Sequence, residues 1–126
     1  MTTVDWNELL VRARGALNPR RLSESADAGG VAAALLAEDG QIYTGVCIDT
    51  GSSLGFCAEH AAAAAMVTAG ANRVLGMVAV LWDQSIIPPC GRCREFIRQL
   101  HDENLSTEVL VAKDTVVTIA ELLPHS

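Results

Sequence analysis

Positive charge is scarce in this chain, aromatic residues are scarcer, and long apolar runs are missing altogether. Nine basic residues face fifteen acidic ones, for a formal charge of −6. A field of that sign repels a polyanion unless a local basic patch holds it. The basic residues form no such patch in sequence. Arg12, Arg14, Arg20 and Arg21 sit near the start, and Arg92, Arg94 and Arg98 share one later segment. No nucleic acid polymer is therefore expected as a partner; a small neutral or cationic molecule is. No apolar stretch reaches the ~20 residues of a membrane span, so no membrane association is expected. Met1 to Trp6 carries neither the basic nor the apolar region of a secretion leader, which makes a cytoplasmic protein the expectation. Repeats, linkers and low-complexity segments are missing too, and 126 residues suit one domain spanning 1–126.

Against these absences stand four cysteines in a chain that is half hydrophobic and rich in alanine. Without a leader, four cysteines favour metal or catalytic use over disulfides. Two stretches hold three of them. Phe56-Cys57-Ala58-Glu59-His60 places a thiol and a carboxylate two residues apart at the head of an alanine-rich run. Pro88-Pro89-Cys90-Gly91-Arg92-Cys93-Arg94 places two thiols three residues apart after a proline pair. Three cysteines match the ligand set of a catalytic zinc, which keeps its fourth position for water. Glu59, a carboxylate outside that set, supplies the proton transfers that hydrolysis requires. Cysteine and glutamate followed by Pro-Cys-x-x-Cys is the constellation of zinc nucleobase deaminases.

Apolar periodicity places these stretches. Asp5 to Leu17 reads as an amphipathic helix with Asp5 as N-cap, and Arg20 to Gly30 as a loop. Val31 to Leu36 and Gln41 to Ile48 form a hairpin through Asp39-Gly40. Asp49 to Phe56 is loop, and Cys57 to Ala69 is a buried helix closed by Gly70. Val74 to Trp82 reads as a central strand, Asp83 to Pro89 as loop, and Cys90 to about Asp102 as a helix. Glu108 to Lys113 is a short strand, and Thr118 to Glu121 has the form of a capping box opening a last helix. Helices alternating with strands after a hairpin imply a mixed sheet covered on both faces, an α/β/α sandwich.

The spacing carries chemistry. Cys90 and Cys93, at i and i+3 in a first helical turn, present both sulfurs on one face. Cys57 heads a different helix, so two helix N-termini with unpaired N–H groups favour thiolate at one metal. Three thiolates leave zinc with a net negative charge, which backbone donors or Arg94 are expected to offset. Glu59 must be turned inward by the loop-to-helix junction. There it takes a proton from the attacking water and returns it to a ring nitrogen and then to the amine, which leaves as ammonia. Two other readings use the same cysteines. Cys90 and Cys93 alone fit a thioredoxin-like redox pair, and a structural zinc would take His60 or His101 as fourth ligand. Cys47, His60, His101 and His125 otherwise read as ordinary strand, helix or terminal residues.

With these motifs in view, the chain from Val31 to Leu123 resembles the cytidine deaminase family, in its small single-domain form. Gly40 to Val46, Cys57-Ala58-Glu59, Pro89 to Arg94 and Glu121 to Pro124 are most similar to the branch containing blasticidin S deaminase. The resemblance implies a mixed five-stranded sheet and one zinc per chain on Cys57, Cys90 and Cys93, with Glu59 as proton shuttle. It also implies a base read partly by backbone at Ala58 and Pro88, and a homotetramer. The expected substrate is a small nucleoside, cytidine or deoxycytidine, with an aminonucleoside antibiotic as the alternative. A zinc-stabilised binding or redox module is the alternative from another class. At the family's sugar-binding Asn-x-Glu stand Cys47-Ile48-Asp49, so the resemblance makes Cys47 and Asp49 the expected substrate contacts there; its aromatic lead-in to the first strand is replaced by Ala28-Gly29-Gly30, and its arginine after Cys-Ala-Glu by His60. Relatives carry an aromatic tail beyond this point, and none is expected after Ser126.

Overall fold

The computed structural model describes residues 3–125. Met1, Thr2 and Ser126, on which the expectations about a leader and a tail partly rest, lie outside the described residues. Helix α1 spans Trp6–Ala16, with Asp5 as N-cap accepting the backbone N–H of Glu8. Strands β1 (Arg20–Ser23), β2 (Ala26–Ala37) and β3 (Ile42–Thr50) follow, then α2 (Ala58–Thr68) and β4 (Val74–Leu81). The two-residue β5 (Ile86–Ile87) precedes α3 (Gly91–Leu100), and β6 (Glu108–Ala112), β7 (Thr115–Thr118) and α4 (Ile119–Leu122) end the chain.

Five strands form the body of the sheet in the order β3-β2-β4-β6-β7, and all neighbours are antiparallel except β4 and β6. The expected count of five is corrected to seven among the described residues, because two short strands add to it at the ends of β2 and β4. β1 pairs with the first residues of β2, and β5 pairs with the end of β4. Both lie in segments read as loop. All four residues of β1 are exposed, so it carries no apolar alternation to betray it. β7 was missed for another reason: its hairpin turns on Lys113-Asp114, without the glycine that announces such turns, and Asp114 itself takes φ 59°.

Strand alternation divides the core into two layers. Ala32, Ala34, Val78 and Val80 face Leu9 and Ala13 of α1. Ala33, Leu35, Met77 and Ala79 face α2, α3 and α4 through Ala62, Ala63, Met66, Ile97 and Ile119. Helices cover both faces, the sandwich expected from the element order. Each large side chain fully buried in these layers, such as Val78 or Ile97, contributes roughly 1.5–3 kcal/mol over leaving it exposed. The alanines bring α2 close to β3. Closest approach is at Gly45, where a Cβ would collide with the backbone at Ala62 and the side chain of Ala61.

Two boundaries shift for stated reasons. Ala28-Gly29-Gly30 belongs to β2, at an irregularity in its pairing with β3 between Ala28 and Ala32. Gly29 has φ +82°, and a Cβ there would strike the Asn18 carbonyl, so the position requires glycine. Helix α3 stops at Leu100, short of the expected Asp102. The buried Asn104 takes the Ile97 carbonyl with its amide, while its oxygen accepts the Val74 N–H. His101 Nδ1 accepts the Glu103 N–H and starts the next turn.

Candidate active site

Cys57 and Cys90 are the N-cap residues of α2 and α3, both in extended conformation. An N-cap side chain normally accepts an N–H of its own first turn. Neither sulfur does so. They meet each other instead, with Cys57 Sγ 3.5 Å from Cys90 Sγ. Cys93, in the first turn of α3 and fully buried, brings its Sγ to 3.4 Å from that of Cys90. All three sulfurs lie within 4.8 Å of one another. A disulfide would need ~2.05 Å, and all four cysteines are free. Sulfurs bound tetrahedrally to zinc at ~2.3 Å stand about 3.8 Å apart, so the donor set and its spacing fit that ion. No fourth histidine, cysteine or carboxylate joins the cluster among the described residues. His101 is engaged in its turn, and a structural zinc with four protein ligands gains no support.

Electrostatics favour a cation here. Burial pushes the Cys93 thiol far up, with the charge of Glu59 adding to it, and burial likewise raises Cys57, helped by its contact with Cys90. Cys90 goes the other way. Its own burial opposes ionisation, but the backbone N–H of Cys93, the neighbouring thiols and the Arg92 N–H together bring it below the ordinary cysteine value. Negative charge in the cluster is thus least opposed at Cys90, and full ionisation calls for a metal.

Glu59 is only 4% exposed, in the first turn of α2. Burial raises its pKa, held back by its own backbone N–H and by the Cys93 thiol. Because Cys57 is extended rather than helical, Glu59 escapes the helical offset and lines the same cavity as Cys57 and Cys90. That cavity, about 190 Å³, is walled by Val31, Cys57, Ala58, Glu59, Ile87, Pro88 and Cys90. On the other side of Cys57 lies a second hollow of about 280 Å³, with Asp49, Thr50, Phe56 and Arg92 among its walls. The hydroxyl of Thr50 is buried there without a hydrogen-bond partner. A larger hollow, about 720 Å³, lies between α1 and the β6–β7 hairpin and shares no residue with the cysteines. Chemistry rather than size selects the site.

Of the residues expected to touch substrate, Ala58 and Pro88 line the first cavity and Asp49 the second. Cys47 lines neither. It is buried behind Val31, whose N–H its sulfur accepts at 3.3 Å, and its thiol points to Asp49 Oδ2 at 3.7 Å. Arg94 is not free to offset the thiolates: its Nε donates to the Pro89 carbonyl at 2.8 Å and its Nη1 to that of Leu122 at 3.3 Å. His60, read as ordinary, places Nδ1 3.4 Å from Cys93 Sγ and stacks on Phe96 at 4.1 Å between ring centres. Its signal was its place three residues after Cys57, on the first turn of α2. Val31 and Ile87 were missed as cavity walls because an apolar strand residue looks the same wherever it faces.

The family model described as the cytidine and deoxycytidylate deaminase zinc-binding region matches residues 6–109. The chain belongs to that family. Its members are zinc-dependent hydrolases acting on the cytosine amino group, and the zinc-binding region contains the Cys57, Cys90 and Cys93 cluster. A cytidine deaminase of Mycobacterium tuberculosis is 37% identical over 98 residues, 77% of this chain and 72% of that one. The crystal structure of cytidine deaminase from Mycobacterium leprae superposes with a TM-score of 0.83 at 28% identity, over 98% of this chain and all of that one. The structure from Mycobacterium tuberculosis gives 0.83 at 30%, over 98% of each. The similarity to the blasticidin S deaminase branch gains no support from these relatives.

Proposed function

We propose that this chain hydrolyses the exocyclic C–N bond of a cytosine nucleoside, converting cytidine or deoxycytidine to the uridine product and ammonia. The observation that carries the reading is a cluster of three sulfurs, two of which, those of Cys57 and Cys90, line the same cavity as the buried Glu59. Cys57, Cys90 and Cys93 would hold one zinc, and that ion would supply the Lewis acid that makes water nucleophilic at neutral pH.

The chain's own residues do the rest. Val31, Ile87 and Pro88 exclude solvent and sandwich the flat base, while backbone at Ala58 and Pro88 reads its edge. Glu59, whose buried carboxyl binds a proton more tightly than an exposed one, takes a proton from water as the oxygen attacks the amine-bearing carbon. It passes that proton to the ring nitrogen and then assists departure of the amine as ammonia. Oxygen replaces nitrogen, and water supplies both hydrogens, so the step balances without any redox partner. The adjoining hollow takes the sugar, with Asp49 accepting from a hydroxyl.

The single domain also assembles into a homo-oligomer, a homotetramer in this reading. Support comes from the outer face of α2, which exposes Ala64, Ala65 and Val67 to solvent in one chain. No helix among the described residues is long and apolar enough to cross a membrane. Four unpaired cysteines suit a reducing cytoplasm. Incubating zinc-loaded protein with cytidine, deoxycytidine and free cytosine tests the proposal. Ammonia release from a nucleoside, lost on chelation and restored by zinc, is the expected result. A protein that binds zinc but releases no ammonia from the panel would refute it.

A further inference from the structure

The side chain following Glu59 has no part in the steps above, yet it lies against one of the three sulfurs. His60 Nδ1 lies 3.4 Å from Cys93 Sγ, and its ring lies nearly parallel to that of Phe96, with 14° between planes. His60 is not itself within reach of all three sulfurs, so it does not complete the cluster as a ligand. A metal-bound thiolate offers lone pairs and no proton, so any hydrogen bond between these two atoms must run from nitrogen to sulfur. We propose that His60 is a positioning residue for the metal centre, donating Nδ1–H to the Cys93 thiolate while Phe96 holds the ring in place.

The fold leaves few substitutes for that donor. Arg94, the nearest cation in the second motif, is spent on the Pro89 and Leu122 carbonyls. Arg92 is exposed and faces the hollow beside Cys57. Cys93 is completely buried, whereas Cys57 and Cys90 are partly open, so its thiolate has least access to water for relief of its charge. A donor from His60 stabilises the sulfur that the surroundings penalise most. Phe96, three residues beyond Cys93 on the first turns of α3, carries the ring that fixes the donor, so one helix presents both the ligand and the platform. Partners of this kind typically change metal affinity by about ten- to a hundredfold.

The inference rests on the reading of Cys57, Cys90 and Cys93 as zinc ligands, and its test separates the two. Zinc affinity is measured by chelator competition in the full-length wild type, His60→Phe and His60→Asn. Phenylalanine keeps a ring against Phe96 but has no donor; asparagine restores an N–H near the position of Nδ1. The expected result is a loss of about ten- to a hundredfold in His60→Phe, with most of it recovered in His60→Asn. Equal affinity in His60→Phe and wild type overturns the proposal, and so does an equal loss in both variants. Wild-type protein that binds no zinc would instead sink the ligand assignment. Should the second phenyl ring crowd Phe96 and prevent folding, His60→Leu takes its place. Cobalt(II) provides a readout that a general packing defect does not move. Without the N–H···S bond the thiolate-to-cobalt charge-transfer band shifts to lower energy in the donor-less variant, and the asparagine variant keeps the wild-type position. A band unmoved in the donor-less variant also overturns it.

Discussion

Cys57 and Cys90 occupy the same position on two different helices, and their sulfurs meet 3.5 Å apart instead of capping the turns they head. Each helix thus gives up a side-chain cap, ordinarily worth about 1 kcal/mol, to leave a sulfur free. The first N–H groups of both helices then point toward the place where negative charge collects.

That trade predicts opposite effects on metal and on folding. Cys57→Ser should abolish stoichiometric zinc binding, because a neutral hydroxyl is a poor ligand beside two thiolates. Serine is also a strong N-cap, so the metal-free variant should melt no lower than metal-free wild type, with a gain of up to ~1 kcal/mol. Metal analysis and thermal unfolding check the two halves. A variant that keeps zinc at wild-type affinity would remove Cys57 from the ligand set.

Asp49 provides a test of substrate placement. Its carboxylate borders the hollow beside Cys57, and its one side-chain partner is a weak thiol donor 3.7 Å away. If it accepts from a sugar hydroxyl, Asp49→Ala removes a hydrogen bond to a charged group worth roughly 1.5–3 kcal/mol. The KM for cytidine should rise about ten- to a hundredfold, with deamination of free cytosine unchanged. Equal losses on nucleoside and base would show that Asp49 only braces the end of β3.

A pH prediction follows from the burial of Glu59. In metal-free protein burial holds its pKa above the ordinary glutamate value of about 4.3. Between that value and the raised one, the folded state keeps a proton that the unfolded state has released. Stability from this group is therefore complete below the unfolded pKa and falls as pH rises through the folded one. Glu59→Gln removes the dependence. Denaturant unfolding of chelated protein should show the variant gaining on wild type as pH rises from 4, levelling off above the folded pKa. Parallel curves for the two proteins would contradict the burial argument.

The sequence made the chemistry more legible than its surroundings. The convergence of Cys57, Cys90 and Cys93, with Glu59 beside them, was legible because a metal site requires particular atoms at short, fixed spacing. The same holds for the capping box, where Thr118 and Glu121 exchange hydrogen bonds, and for Gly70, which closes α2 at φ +102°. β1 was illegible because its four exposed residues pair through backbone alone, which leaves no side-chain pattern. The placements of Arg94 and His60 differ from expectation, since a cation near thiolates in sequence says nothing about which carbonyls compete for it. Pro89 and Leu122 win Arg94, and α2 delivers His60 to Cys93. Such assignments depend on how two helices pack, which local spacing does not encode.

The central claim is that Glu59 moves protons at a zinc it does not bind. Glu59→Gln preserves the shape of the side chain and leaves the three sulfurs untouched. Ammonia release from cytidine and zinc content are measured together on the same preparation. A zinc content equal to wild type with a kcat lowered at least ~10²- to 10⁴-fold, the usual contribution of a general acid–base group, is the predicted result. A variant that keeps a tenth of its activity, or that loses its zinc, would contradict it.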